Sequence, residues 1–155
     1  MKYKFIKSGE KKEILEQLGV LGISEIPYLL IESGKEKIRG YTGHLSKEEI
    51  LEIGKLTRVE GIGLYILKRD TQLTRPSFEG VQAFKNQISE NIIEISEEEF
   101  QKWIRGYDLN KPLEKGIKAI KYKEYFIGIG MSNGQTIFNY VPKERRLKKP
   151  LQNPQ

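Results

Sequence analysis

The chain has 155 residues, with 27 lysines and arginines against 21 aspartates and glutamates, giving a net charge of +6. It has no cysteine, which excludes disulfide frameworks and thiolate zinc sites, and its single histidine, His44, makes histidine-based metal sites or triads nearly impossible. No apolar run approaches the roughly 18 residues of a membrane span, and MKYKFIKSGEKKEIL lacks the continuous apolar centre of a signal peptide, so the expected setting is the cytoplasm. Hydrophobic residues, at 37%, suffice for packed cores, and the 31% of charged residues make the surface ionic. A basic balance draws anions, with nucleic acid the commonest partner, but net charge speaks to association and not to fold.

In chain order, KYKFI alternates like a short strand. EKKEILEQLGV then places Ile14, Leu15 and Leu18 on one helical face, with Gly19 as the stop. IPYLLIE, SGKE and KIRGYTG read as strand, turn and return strand, with Pro27 at the strand start. Ser46-Lys47-Glu48-Glu49 is a capping-box pattern. It opens a helix whose apolar face is Ile50, Leu51, Ile53 and Leu56. GIGLYILKR is apolar enough for a central strand. Thr71 to Ala83, with Pro76 and Gly80, reads as one or two short strands with turns.

The composition then shifts. Residues 86–100 carry five acidic residues and no basic one, whereas residues 101–155 carry twelve basic residues against four acidic. ENIIEI is a short strand, and Ser96-Glu97-Glu98-Glu99 is a second capping box. The helix behind it carries Phe100, Trp103 and Ile104 and breaks at Gly106 and Asp108. GIKAIKYK, EYFIGIG and QTIFNYV are three strands at the spacing of a compact β unit, with Asn133-Gly134 a strong hairpin turn. The tail KPLQNPQ is expected to be disordered.

Several constellations bear on chemistry. In GIKAIKYK the lysines Lys118 and Lys121 do not alternate cleanly with Ile117, Ala119, Ile120 and Tyr122, and a β-bulge would reconcile them. These lysines serve either to block an edge strand or to contact phosphates beside Tyr122 and Tyr125, whose rings would stack on bases. PKERRLKK gathers Lys143, Arg145, Arg146, Lys148 and Lys149, either as a solvated tail or as a phosphate-contacting run. The pairs Gly128/Gly130 and Gly61/Gly63 fail the G-x-G-x-x-G pattern and are read as strand bends or close packing. Trp103 is expected to anchor a core, and His44 to lie in a surface loop. Glu97, Glu98 and Glu99 suit a helix N-terminus better than a metal. Nothing in the spacing of carboxylates such as Asp70 or Asp108 recommends acid–base catalysis.

WIRGYDL, then IKYKEYFIGIG, then FNYVPKERRLK together resemble the C-terminal PUA-like module of Sun/Fmu-type RNA cytosine-5 methyltransferases of the RsmF kind. The matching positions are Trp103, Arg105, Gly106, Leu109, Gly128, Gly130, Asn139, Pro142, Lys143 and Arg146. The first 85 residues more loosely resemble the pre-PUA domain that precedes PUA modules in small ribosome-biogenesis proteins, with Arg75-Pro76-Ser77 departing from the expected strand. The resemblance implies an α+β protein. A pre-PUA-like α/β sandwich is expected over 1–85, a PUA-like β-pseudobarrel over 86–148, and a flexible tail over 149–155.

It also implies binding of structured RNA, either rRNA or tRNA, without cofactor, metal, membrane or DNA. The expected RNA-facing set is Arg105, Lys118, Lys121, Lys123, Asn139, Tyr140, Lys143, Arg145, Arg146 and Lys148. The methyltransferases' catalytic domain, cysteine nucleophile and glycine-rich cofactor loop are not matched. The expected role is therefore that of a free-standing, non-catalytic RNA-binding protein in RNA modification or ribosome biogenesis, beside a cytosine-5 methyltransferase or a pre-ribosomal particle. The alternative is a protein–protein adaptor that docks on a methyltransferase with incidental RNA contact.

Overall fold

The computed structural model describes residues 3–57, 61–70 and 73–151. The fold is α+β, built on two five-stranded sheets. The first is fully antiparallel and follows chain order: β1 (Tyr3–Phe5), β2 (Leu29–Ser33), β3 (Lys37–Tyr41), β4 (Leu64–Arg69) and β5 (Thr74–Pro76). The expected hairpin is β2–β3, closed by a turn with Gly34 at φ +72°. Pro76 lacks an N–H and is tolerated because β5 is an edge strand.

Helix α1 (Ser8–Leu18) buries Ile14 and Leu18 and ends at Gly19, as its periodicity predicts. Helix α2 (Lys47–Leu56) has the full capping box: Ser46 Oγ accepts from the Glu49 N–H, and the Glu49 carboxylate accepts from the Ser46 N–H. The expected apolar face of α2 is not buried, however. Of its described side chains only Ile50 is enclosed, while Leu51, Ile53 and Leu56 face outward.

The stretch Thr71 to Ala83, read as one or two short strands with turns, holds one strand, β5, and then a helix, α3 (Phe78–Ala83). Residues 71–72 of that stretch lie outside the described residues. Ser77 caps α3: its hydroxyl accepts from the Gly80 N–H and donates to the Tyr65 carbonyl. Tertiary packing outweighs the local pattern here. Gly80 lies flat against the Ile66 backbone, and Val81 and Phe84 are fully buried.

The second sheet runs β6 (Ile92–Glu94), β8 (Gly116–Tyr122), β9 (Tyr125–Ser132), β10 (Thr136–Asn139) and β7 (Leu109–Asn110), and it curls into a half-barrel. β6 pairs parallel with β8, and every other pair in this sheet is antiparallel. Helix α4 (Glu97–Trp103), opened by the Ser96–Glu99 capping box, belongs to the crossover between β6 and β8. The bulge inferred in GIKAIKYK is present, as a register shift between Ala119 and Lys121. The Asn133-Gly134 turn is present too, with Asn133 Oδ1 accepting from the N–H groups of Gln135 and Thr136.

Trp103 is fully buried, and its indole N–H donates to the Ile127 carbonyl at 2.9 Å. It explains Gly130 of β9. A methyl group on Gly130 would lie 2.5 Å from Ile137 and 2.9 Å from the Trp103 ring.

The two sheets share a core. One apolar cluster joins Ile14, Leu18, Leu21, Ile38, Leu67 and Phe84 to Ile117, Ala119 and Ile129 of the second sheet. α3 sits between them, packing on β4 and on β9. A smaller cluster around Trp103, Ile120, Ile137 and Val141 fills the other side of the second sheet. Among the described residues, no helix is long and apolar enough to cross a membrane.

Candidate nucleic-acid interface

The basic run after Val141 is not a loose tail over its described length. A 3-10 turn spans Lys143–Arg145, and the chain then returns along the end of α4. The Leu147 N–H donates to the Ile104 carbonyl at 2.7 Å. Arg105 clamps the same segment: its Nε donates to the Lys149 carbonyl at 2.6 Å, and its Nη1 to the Gln101 carbonyl and side-chain oxygen at 2.7 Å each. Arg146 Nε donates to the Val141 carbonyl at 2.9 Å. Gly106, at φ +93°, lets Arg146 lie across the turn, since a methyl there would meet Arg146 Cδ at 2.5 Å.

The result is a groove of about 450 Å³ lined by Arg105, Tyr107, Lys143, Arg146, Lys148 and Lys149. Five cations converge without a carboxylate in the lining, around a tyrosine that is 54% exposed. Backbone contacts fix the chain that carries them, so little ordering entropy remains to be lost on binding. Tyr107 did not stand out in the sequence. Its signal is positional, as an aromatic residue between a helix-ending glycine and Asp108.

Four expected contacts thus gather in this groove: Arg105, Lys143, Arg146 and Lys148. Arg145 turns away and pairs with Glu79 of α3 at 2.5 Å. Lys121 lines a separate shallow cleft with Lys85 and Tyr125, and Lys123 is exposed at the β8–β9 turn with φ +54°. Tyr125 is 62% exposed, but Tyr122 stacks on Phe100, with centroids 4.1 Å apart and planes 8° apart, and does not offer a free face there. Tyr140 lies under the guanidinium of Arg75, 4.2 Å from its centroid.

Two expected contacts have structural roles. Lys118 is only 4% exposed, and its ammonium donates to Asn91 Oδ1 at 2.9 Å. It lies in the regular part of the β8–β9 ladder, before the bulge, and presents no charge to solvent. Asn139 Nδ2 donates to the Trp103 and Tyr107 carbonyls at 2.8 and 3.0 Å, and its Oδ1 accepts from the Val141 N–H at 2.8 Å. It ties β10 to the end of α4.

The second capping box carries an ion pair. Partial burial pulls the Glu99 carboxyl up, but bonds from the Lys111 ammonium and from Ser96 outweigh it and hold the group below the usual carboxylate range. Among the described residues, no group of three or more His, Cys, Asp or Glu side chains is arranged to hold a metal ion.

Residues 90–147 match the family model of the methyltransferase RsmF PUA domain. The second sheet and the basic groove are a PUA-like module of this kind. The match covers the curled sheet, α4 and the start of the basic run, and it supports RNA binding in general. No curated protein sequence matches the chain.

Proposed function

We propose that this chain is a non-catalytic RNA-binding protein of rRNA or tRNA modification or ribosome biogenesis, acting in the cytoplasm beside an RNA methyltransferase. Residues 1–85 serve in this reading as a pre-PUA-like domain that buttresses the PUA module. The observation that carries the reading is the five-cation groove around Tyr107, set on a PUA-like module of the RsmF kind. Lysine and arginine heads at that density neutralise successive phosphates and release counterions. An exposed tyrosine among them stacks on an unpaired base.

The test is RNA binding as a function of salt. A fluorescent rRNA or tRNA hairpin is titrated with the wild type and with a K143A/K148A/K149A variant. Removing three phosphate contacts lowers the slope of log affinity against log salt by about 2. An unchanged affinity and slope in the triple variant would refute the groove assignment.

A second reading has its own support. Leu51, Ile53 and Leu56 of α2 are 46%, 38% and 84% exposed, a face suited to a protein partner. In that reading the chain is an adaptor that docks on a methyltransferase. Purification with and without nuclease separates the two: partners lost after nuclease favour RNA binding, and partners retained favour the adaptor.

A further inference from the structure

A second cleft, of about 220 Å³, opens where the two sheets meet. One wall is β4 and β5, with Tyr65, Lys68 and Arg75, and the other is Tyr140 and Pro142 beyond β10. Lys37 stands at its edge, its ammonium 5.2 Å from the Tyr65 ring centroid.

Arg75 is the unusual member. Its guanidinium carbon lies 4.2 Å from the Tyr140 ring centroid, a cation–π contact that holds it at the seam. No described residue accepts a hydrogen bond from it or forms an ion pair with it, although its donors are partly desolvated. Two neighbouring cations differ in this respect: Lys68 pairs with Glu36 at 3.8 Å, and Arg145 pairs with Glu79. Glu144 also lines the cleft but forms no ion pair with Arg75. Burial, the largest influence on Arg75, draws its pKa down, although the nearby Tyr140, Tyr65, Asp70 and Glu36 act in the other direction. An immobilised guanidinium with open donors fits a planar or tetrahedral oxyanion that accepts two bonds.

The cleft adjoins the basic groove. The 3-10 turn at Lys143–Arg145 separates them, with Lys143 on the groove side and Pro142 and Glu144 on the cleft side. A strand leaving the groove therefore meets the cleft across one turn of chain. Tyr65, Phe78 and Tyr140 also line the cleft. The volume admits a phosphate with part of its nucleotide and excludes a duplex.

We propose that this junction cleft captures the phosphate of an unpaired nucleotide in the same RNA, with Arg75 as the bidentate donor. The proposal rests on the RNA-binding reading of the groove. It adds that the first sheet, through Arg75, contributes to recognition beside the groove.

The test compares a blunt RNA hairpin with the same hairpin carrying three-nucleotide single-stranded extensions at both ends. The wild type binds the extended RNA more tightly, on the order of tenfold for one charge-assisted bidentate contact. Arg75→Met loses that gain and keeps the blunt-hairpin affinity and salt slope. Arg75→Lys, which keeps the charge and packing stem but loses the fork, keeps only part of the gain. It serves as the decisive variant if the methionine protein melts early. Equal binding of both RNAs by the wild type, or a full gain in both variants, overturns the cleft proposal and leaves the groove standing. Failure of the wild type to bind the blunt hairpin while the K143A/K148A/K149A variant behaves identically overturns the groove reading, and this one with it.

Discussion

Replacing Asn139 with alanine removes the tie between β10 and the end of α4. Three hydrogen bonds disappear: two from Nδ2, to the carbonyls of Trp103 and Tyr107, and one into Oδ1 from the Val141 N–H. The Tyr107 carbonyl lies toward solvent, so water replaces that partner at little cost. The Trp103 carbonyl and the Val141 N–H are partly buried, and Val141 itself is 4% exposed. Leaving each of those two groups unpaired costs about 1–1.5 kcal/mol, or about 2–3 kcal/mol together. For a chain of this length that lowers the melting temperature by roughly 5–10 °C. The assay is thermal unfolding followed by far-UV circular dichroism, with Asn139→Asp alongside. Aspartate keeps the acceptor for Val141 but points negative charge at two carbonyl oxygens, so it is destabilised at least as much at neutral pH. Affinity for RNA, measured well below the lowered melting temperature, falls little. A melting temperature within about 1 °C of wild type, with a large loss of RNA affinity, would show that Asn139 contacts RNA and that the clamp is unimportant.

Four further outcomes are expected. Lys118→Met leaves RNA affinity and its salt slope unchanged, because the ammonium is buried against Asn91; a lowered slope in a titration would show otherwise. Glu99→Gln destabilises by about 1 kcal/mol at neutral pH through loss of the Lys111 pair and a weakened capping box. Because the folded Glu99 carboxyl titrates below its unfolded value, this contribution is full above the unfolded pKa. It fades as pH falls through the folded one, so melting curves of wild type and variant should converge in acid. Gly106→Ala costs about 1–2 kcal/mol for a left-handed backbone and displaces Arg146, measurable as a lower melting temperature together with weaker RNA binding. Phe84→Ala, in the shared core, costs about 3–5 kcal/mol and lowers the unfolding midpoint reported by the fluorescence of Trp103 in the other cluster. Two separated transitions would instead mean that the halves unfold independently.

Much of this architecture is written locally in the chain. Both capping boxes, the β2–β3 hairpin, the Asn133-Gly134 turn and even the bulge in β8 depend on a few adjacent residues whose chemistry has one good solution. What escaped depends on distant partners. α3 is short, contains Gly80 and lacks a carboxylate at the box position. It is helical because Phe84 and Val81 have a core to enter and Gly80 has a strand to lie against. The parallel pairing of β6 with β8 leaves no local trace.

The site shows the same division. A basic run is visible as charge, but its organisation comes from Arg105 and the Ile104 carbonyl, some forty residues away along the chain. Lys118 and Asn139 read as contacts because their residue types suit RNA. Their side chains are instead occupied by Asn91 and by three backbone groups. Tyr107 and Arg75 escaped for the opposite reason: neither lies in a basic run, and each matters through what folds against it.

The shared core gives the junction cleft its meaning. If the two sheets were independent bodies on a tether, Arg75 and Tyr140 would meet only transiently, and a guanidinium could not be held over a ring. Here Ile117, Ala119 and Ile129 enter the same apolar cluster as Leu21 and Phe84, and Gln82 of α3 donates to the Phe126 carbonyl at 2.7 Å. Arg145 reaches Glu79 across the same seam. Each contact fixes the first sheet against the module that carries the groove. Separating them would expose that cluster to water at about 25 cal/mol per Å² of apolar surface, whereas the exposed ion pair contributes little by itself. The fixed relation therefore comes from packing, with polar contacts setting the register. A rigid seam that holds a guanidinium over a ring, without an ion-pair partner among the described residues, beside a five-cation groove is a preorganised surface, and preorganisation lets a few phosphate contacts discriminate one RNA shape from another.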